Sequence, residues 1–192
     1  MNEQTAIRLC LKHRDPAGFE HLVDQHRRQA FFHARALLGN TEDAADACQD
    51  AFLRAFAAMP RLETLDRFYP WFYQILRNVC LNMLARKKTR VDHIRKSFVQ
   101  GTDQNSMPSP TDLVELKETQ QEVWQILDQL SLEHREILTL KYVHRSSYDE
   151  IAETLEIPRG TVMSRLYSAR RAFRNKHEQI HSTCHAGANH ES

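Results

Sequence analysis

The segment Ser147–Arg174, SYDEIAETLEIPRGTVMSRLYSARRAFR, constrains the fold most because it carries the pattern of a complete helix-turn-helix. Ser147 and Glu150 form a capping box, which predicts that a short helix begins here. Pro158 marks the end of the turn before a second helix. The apolar residues expected to hold the second helix across the first are Ala152, Ile157, Val162 and Leu166.

The second helix is strongly basic. Between Pro158 and His177 there are six Lys or Arg residues and no Asp or Glu. The resulting positive electrostatic field would attract phosphate groups, so DNA is the first partner to consider. The alternative is an ordinary helical hairpin with a solvated basic face. Glu156 stands where this motif commonly has glycine. We therefore predict a left-handed backbone conformation at Glu156, which costs on the order of 1 kcal/mol for a residue other than glycine.

Helical periodicity dominates the rest of the 192-residue chain, and no strand-like alternation interrupts it. The segment VQGTDQNSMPSPTD, Val99–Asp112, is rich in proline and small polar residues and is typical of a tether. We therefore predict an all-α chain of two small helical domains joined by a flexible linker. The predicted bounds are 15–92 for the first domain, 93–112 for the linker, 113–178 for the second domain and 179–192 for a disordered tail.

The formal net charge is only +1, but the charges are unevenly distributed. Acidic clusters at Glu42–Asp50 and Asp149–Glu156 offset basic clusters at Arg86–Lys96 and Arg159–Lys176. A chain that is locally basic and neutral overall should bind DNA weakly alone, and should depend on a larger assembly for affinity.

The four cysteines lie far apart without a CxxC pair, so they form neither a zinc-ribbon pattern nor a recognisable disulfide framework. A reducing cytoplasm fits this usage. No signal peptide pattern and no long apolar run is present, so we expect no membrane insertion. The tail residues His181, Cys184, His185 and His190 could hold a metal, but a frayed tail would not fix them in space. We expect neither a metal nor a cofactor.

A stripe of four residues on the predicted second helix has a distinctive composition. Asp46, Gln49, Asp50 and Leu53 stand at i, i+3, i+4 and i+7, and we call them the acidic stripe. They predict either a docking surface for a basic partner helix or a merely solvated face. The residues predicted to face the core are Ala45, Cys48, Phe52, Ala55, Phe56 and Met59.

Aromatic residues precede a basic run in the predicted third helix. Five of the six residues in FYPWFY, Phe68–Tyr73, are aromatic, and Arg77, Asn78 and the cluster from Arg86 follow. Rings beside cations suit an unstacked nucleic acid strand. Most of the apolar residues here share helical faces and are expected in the core, namely Trp71, Phe72, Ile75, Leu76 and Val79.

Taken together, these motifs resemble bacterial RNA polymerase sigma factors of the sigma-70 family, in the small extracytoplasmic-function group. The resemblance covers roughly Phe19–His177. It rests on DAADACQDAFLRAF from Asp43, FYPWFYQILRNVCLNMLARKK from Phe68, LDQLSLEHREILTLKYV from Leu127, and the helix-turn-helix.

The resemblance implies a sigma factor that binds core RNA polymerase, promoter DNA and an anti-sigma factor. On the polymerase, the β′ clamp helices would face the acidic stripe and the β flap would be a further contact. The residues implied to bind the minus-ten element are Arg61, Leu62, Asp66, Arg77, Asn78 and Lys87. Those implied to bind the minus-thirty-five element are Arg159, Thr161, Ser164, Arg165, Tyr167, Ser168, Arg170 and Arg171.

Helical geometry, at about 100° per residue, divides the second helix of the motif into faces. Val162, Leu166, Ala169 and Phe173 cluster on one face and should pack on the domain. The residues directly opposite, which we call the reader face, are Ser164, Tyr167, Ser168 and Arg171. Arg165, Arg170 and Arg174 lie on the flanks, where they should meet phosphates.

Two other functions compete with this interpretation. A stand-alone helix-turn-helix regulator would need a sensor or dimerising surface, whereas residues 15–90 resemble a promoter-melting domain. An enzyme acting on nucleic acid would need paired carboxylates, a metal cluster, an activated nucleophile or a phosphate-cradling loop. The sequence shows no such arrangement, and it has only five glycines, so we expect no enzymatic activity.

Overall fold

Helices form every regular element in the part of the chain that the computed structural model describes, which comprises residues 1–13, 15–62, 66–97 and 118–186. The chain divides into two units, Met1–Val114 and Glu115–Ser192. The predicted all-α architecture with two helical domains is confirmed.

The first unit is a bundle of four helices. Gly39 ends α2 with a φ of 82°, and the Asn40 side chain caps α3 by accepting from the Asp43 N–H at 2.8 Å. The chain therefore breaks between the two helices at Gly39 and Asn40. The helices are α1 (Glu3–Arg8, continued by a π-helical segment Leu9–His13), α2 (Pro16–Leu38), α3 (Thr41–Ala58, followed by a 3₁₀ turn Met59–Arg61) and α4 (Phe68–Ser97).

Helix α1 was not predicted, although it holds the bundle in place at two points. Ala6 and Ile7 are buried against α2, where a Cβ on Gly18 would lie only 2.6 Å from the carbonyl oxygen of Ala6. The Glu3 carboxylate accepts the Phe68 N–H at 2.9 Å and thereby caps α4. This helix therefore fixes the beginning of α4.

The aromatic run at the start of α4 lies in the core. Phe68, Tyr69, Phe72 and Tyr73 are all buried, and Phe72 stacks on Phe52 with 4.3 Å between ring centroids. The expectation that most of these rings belong to the core is confirmed, so they do not form a stacking platform for bases.

Helix α3 packs against α2 and α4 through a face of small residues. The alanines fully buried there are Ala44, Ala47, Ala51 and Ala55. Because the fully buried residues of α3 are alanines, the neighbouring helices approach its backbone closely, and this packing fixes the rotation of α3. The prediction that Ala45 faces the core was wrong, since Ala45 is exposed. Phe56 is 47% exposed, but its ring packs edge-on against the buried Phe19, with 5.1 Å between the ring centroids.

The second unit is a second bundle, in which α8 packs against the other three helices. Ser147 begins α7 with the predicted capping box: its Oγ accepts the Glu150 N–H at 3.2 Å, and the Glu150 carboxylate accepts the Ser147 N–H at 2.8 Å. The helices are α5 (Glu118–Asp128), α6 (Leu132–Leu138, continued by a π-helical segment Thr139–Val143), α7 (Tyr148–Leu155) and α8 (Arg159–Ala186).

The core of this unit confirms the packing face predicted for α8. Val162, Leu166 and Ala169 are buried in one cluster with Ile137 of α6 and Ile151 of α7. Phe173 is partly buried against the same cluster. The face opposite these residues is left exposed.

Two predicted boundaries differ from the structure. Helix α4 extends to Ser97, into the predicted linker 93–112, of which residues 98–112 lie outside the described residues. Helix α8 runs to Ala186, so 179–186 are helical and not a disordered extension, whereas 187–192 lie outside the described part. The part of α8 beyond the helix-turn-helix contacts α5 through a hydrogen bond between His181 and Glu122.

No helix within the described ranges is long and apolar enough to cross a bilayer.

The predicted left-handed turn is present at Glu156, with φ 54° and ψ 43°. We expect Glu156→Gly to raise the free energy of unfolding of the second unit by about 0.5–1 kcal/mol, because glycine adopts this conformation without the Cβ penalty. Urea unfolding followed by Trp124 fluorescence in a Trp71→Phe background measures this. The matched control is Glu153→Gly within α7, which should lower stability by about 1 kcal/mol. Equal losses in both variants would contradict the prediction.

Candidate protein and nucleic-acid interfaces

The acidic stripe lies on the side of α3 that faces away from the buried alanines. Asp46 and Gln49 are exposed, Asp50 is half-buried, and Leu53 is 63% exposed. A leucine exposed to this degree within an acidic surface provides an apolar contact point flanked by charge. The arrangement suits a basic helix with an apolar residue at its centre.

One member of this surface was missed by the sequence reasoning. Arg54 holds Asp50 in a two-point ion pair, with its Nε 2.8 Å from Oδ1 and its second guanidinium nitrogen 2.9 Å from Oδ2. The i,i+4 spacing of the two residues could have indicated this pair. The hydrogen bonds and the charge of Asp50 raise the pKa of Arg54.

The residues assigned to the minus-ten element occupy two places in the first unit. Arg61 and Asp66 are exposed and Leu62 is half-buried at the two ends of a loop whose residues 63–65 lie outside the described residues. Arg77 is half-buried on α4 and Asn78 is exposed. The Gln4 side-chain amide donates to the Asp66 carbonyl, so α1 also holds the end of this loop.

Lys87 forms an ion pair with another helix of the first unit. It stands nine positions after Asn78 on α4, which at about 100° per residue places the two on opposite sides of the helix. Its Nζ forms an ion pair with Asp43 of α3. Burial raises the pKa of the Asp43 carboxyl, but hydrogen bonds from Lys87 and Asn40 outweigh this, and the pKa lies below its usual value. Lys87 therefore already has an intramolecular partner.

The reader face of α8 is open along its whole length. Tyr167 is 69% exposed, and Met163 beside it is 54% exposed. Ser164, Ser168 and Arg171 are exposed as well. Thr161 in the first turn is half-buried. The structure thus brings the four predicted readers together on one surface, as helical spacing indicated.

The arginines of α8 fall into two classes that the sequence did not distinguish. Arg159 pairs with Asp149 at 3.1 Å, and Arg165 is only 23% exposed and pairs with Glu133 at 3.7 Å. Arg170 donates from Nε to the Tyr142 hydroxyl at 2.7 Å.

Arg170 also lies over the Tyr142 ring, with its guanidinium carbon 5.7 Å from the ring centroid. The hydroxyls of Tyr148 and Tyr142 raise the pKa of its guanidinium. Arg171 and Arg174, by contrast, make no hydrogen bond or ion pair within the described parts of the chain.

Comparison with known families matches both units. The family model for sigma-70 region 2 matches residues 22–90, and that for sigma-70 region 4 matches residues 120–173. The first match holds the acidic stripe and the minus-ten residues. The second holds the helix-turn-helix.

Curated relatives match over most of their length. The extracytoplasmic-function sigma factor SigW of Bacillus subtilis (strain 168) is 30% identical over 174 residues, which cover 86% of this chain and 92% of that protein. The corresponding sigma-E factor of Escherichia coli (strain K12) is 33% identical over 140 residues, covering 70% and 73%.

Two solved structures share the fold. The sigma factor RpoE from Bartonella quintana, solved with the anti-sigma factor NepR, aligns with a TM-score of 0.66 at 22% identity, over 83% of this chain and 96% of that one. CnrH, solved with the cytosolic domain of CnrY, aligns with a TM-score of 0.65 at 19% identity, over 92% and 95%.

Because both sigma regions match in order, the alternative of a stand-alone regulator is not favoured. The chain belongs to the extracytoplasmic-function group of the sigma-70 family and is an alternative sigma factor that directs RNA polymerase to promoters for transcription initiation.

Proposed function

We propose that this sigma factor acts through three exposed surfaces. The acidic stripe binds core polymerase, Arg61 and Asp66 together with α4 hold the melted minus-ten strand, and α8 reads the minus-thirty-five element. The observation that carries the proposal is the open reader face on a helix whose opposite face is buried. Addition of the purified chain to core RNA polymerase tests it, because only a sigma factor yields promoter-dependent transcript. No enzymatic step is assigned to the chain.

For polymerase binding, the acidic stripe supplies carboxylates around Leu53, and the β′ clamp helices supply the basic partner. Asp50 already pairs with Arg54, so its contact with a basic helix must share or replace this exposed ion pair. The β flap is assigned to the second unit as a further contact.

For promoter melting, Asn78 and the ends of the loop at Arg61 and Asp66 capture an unstacked base, and Arg77 holds the adjacent backbone. The buried aromatic core gives these residues a rigid support. Lys87 already pairs with Asp43, which reduces its net attraction for a phosphate, so we assign it a lesser part.

A protein partner is also proposed. RpoE was solved with the anti-sigma factor NepR, and CnrH with the cytosolic domain of CnrY. By analogy, an anti-sigma factor binds this chain in the cytoplasm and covers surfaces that polymerase requires.

The first prediction concerns the acidic stripe. Asp50→Lys should weaken binding to core polymerase by at least about tenfold, because it places a like charge against a basic helix. Fluorescence anisotropy of labelled chain with core polymerase measures the dissociation constant. Glu20→Lys, the same charge change at an exposed position of α2, is the matched control. An unchanged affinity for Asp50→Lys would remove the docking assignment.

The second prediction concerns melting. Asn78→Ala should reduce open-complex formation more on duplex promoter than on promoter pre-melted at the minus-ten region, since unstacking a base costs a few kcal/mol. Permanganate footprinting of unpaired thymines reports the open complex on duplex promoter, and filter binding compares the two templates. If both templates lose equally, Asn78 acts in binding or folding and not in melting.

The third prediction separates base reading from backbone contact. Arg171→Ala should cost about 1–3 kcal/mol and relax preference at one base position, because its guanidinium is free for the major groove. Arg174→Ala should weaken all promoters alike and lower the salt slope by about one unit. Arg174 is the better control than Arg165, whose removal would also break the pair with Glu133.

Selection from a randomised minus-thirty-five library with wild type and each variant provides the readout. Two of the four reader-face residues are serines, whose hydroxyls can hydrogen-bond to several different bases. Part of the promoter sequence preference should therefore depend on DNA shape. An unchanged base preference after substitution of all four readers would show that α8 lies differently in the groove.

A further inference from the structure

Three metal-ligating side chains from two helices converge at one point of the second unit. Oε1 of Glu122 on α5 lies 3.6 Å from Nε2 of His177 and 2.6 Å from Nε2 of His181, both on α8. The two imidazole ring centroids are 4.4 Å apart. The three ligand atoms all lie within 4.8 Å of one another.

The convergence follows from the geometry of α8. His177 and His181 are at i and i+4, one turn apart on the same side of the helix. At about 100° per residue, His177 lies within about 20° of Leu166, so the histidines continue the face that packs on the domain. Helix α5 contacts α8 along this face, with Trp124 against the core cluster, and so brings Glu122 to the imidazoles.

The donor set has a definite chemical preference. Two imidazoles and one carboxylate suit zinc and neighbouring divalent transition metals, and not magnesium or calcium, which prefer oxygen. Ligand atoms of a tetrahedral zinc ion with bonds of about 2.0–2.1 Å are about 3.4 Å apart. The separations from the Glu122 oxygen to the two nitrogens lie on either side of that value.

We propose that Glu122, His177 and His181 form a binding site for a divalent transition metal ion of the zinc class. The ion would lie between the three ligand atoms, where the hydrogen bond between Glu122 and His181 would be exchanged for metal bonds. Water would complete the coordination. This proposal replaces the expectation that the chain holds no metal.

A metal at this site would link α5 to the C-terminal part of α8. The link ties the first helix of the second unit to the helix that carries the reader face. Because the ligands are set correctly only when both helices are in place, binding should favour the folded unit over the unfolded chain.

Cobalt and zinc titrations of the full, untagged chain test the site after removal of metal with EDTA. Wild type should bind one Zn²⁺ ion in isothermal titration calorimetry and show visible cobalt absorption bands of a low-symmetry site with Co²⁺. Glu122→Gln, His177→Ala and His181→Ala should each weaken binding by at least about tenfold. Glu122→Gln keeps a hydrogen-bonding side chain of the same shape and removes the charge.

The matched control is His134→Ala, since this histidine is also in the second unit but outside the cluster. It should bind Zn²⁺ as wild type does. Saturating Zn²⁺ should also raise the midpoint of thermal unfolding reported by Trp124 in a Trp71→Phe background, and should not do so in His181→Ala. Equal affinity in wild type and all three ligand variants would show adventitious binding at other histidines or cysteines and would overturn the proposal, as would the absence of Zn²⁺ binding.

Discussion

The rotation of α8 about its own axis is the constraint on which the second unit depends. Burial of Val162, Leu166 and Ala169 fixes that rotation, because turning the helix would expose apolar surface worth about 25 cal/mol per Å². Every side chain of a rigid helix then has a set direction. Exposure of the reader face and the approach of His177 and His181 to α5 are two results of the same packing.

A comparable constraint operates in the first unit, with methyl groups in place of larger side chains. The alanine face of α3 brings its backbone close to α2 and α4, and it leaves the acidic stripe on the outside. Leu53 is exposed by this rotation, although its burial would be favourable by roughly 1.5–3 kcal/mol. Burial of this leucine against a partner would therefore contribute that free energy to binding.

Local patterns predicted much of this structure, because caps and periodicity are properties of neighbouring residues. The capping box at Ser147, the left-handed Glu156 and the packing face of α8 all follow from short segments. Features that depend on distant partners could not be predicted. Helix α1 has six residues and little signal of its own, yet Glu3 caps α4, which begins 65 positions later. The pairs Lys87 with Asp43 and Arg165 with Glu133 likewise require the tertiary structure.

The pairing of the α8 arginines changes how they can act on DNA. An arginine already in an ion pair must exchange its carboxylate for a phosphate, so the net gain on binding is reduced by the pair that is lost. This applies to Arg159 and Arg165. Arg170 is different, because its partners are tyrosine hydroxyls and not carboxylates: Tyr142 accepts from Nε at 2.7 Å, and Tyr148 also interacts with the guanidinium. Tyr142 therefore orients Arg170 without neutralising it, and the flank of α8 holds one cation that is already positioned before DNA arrives.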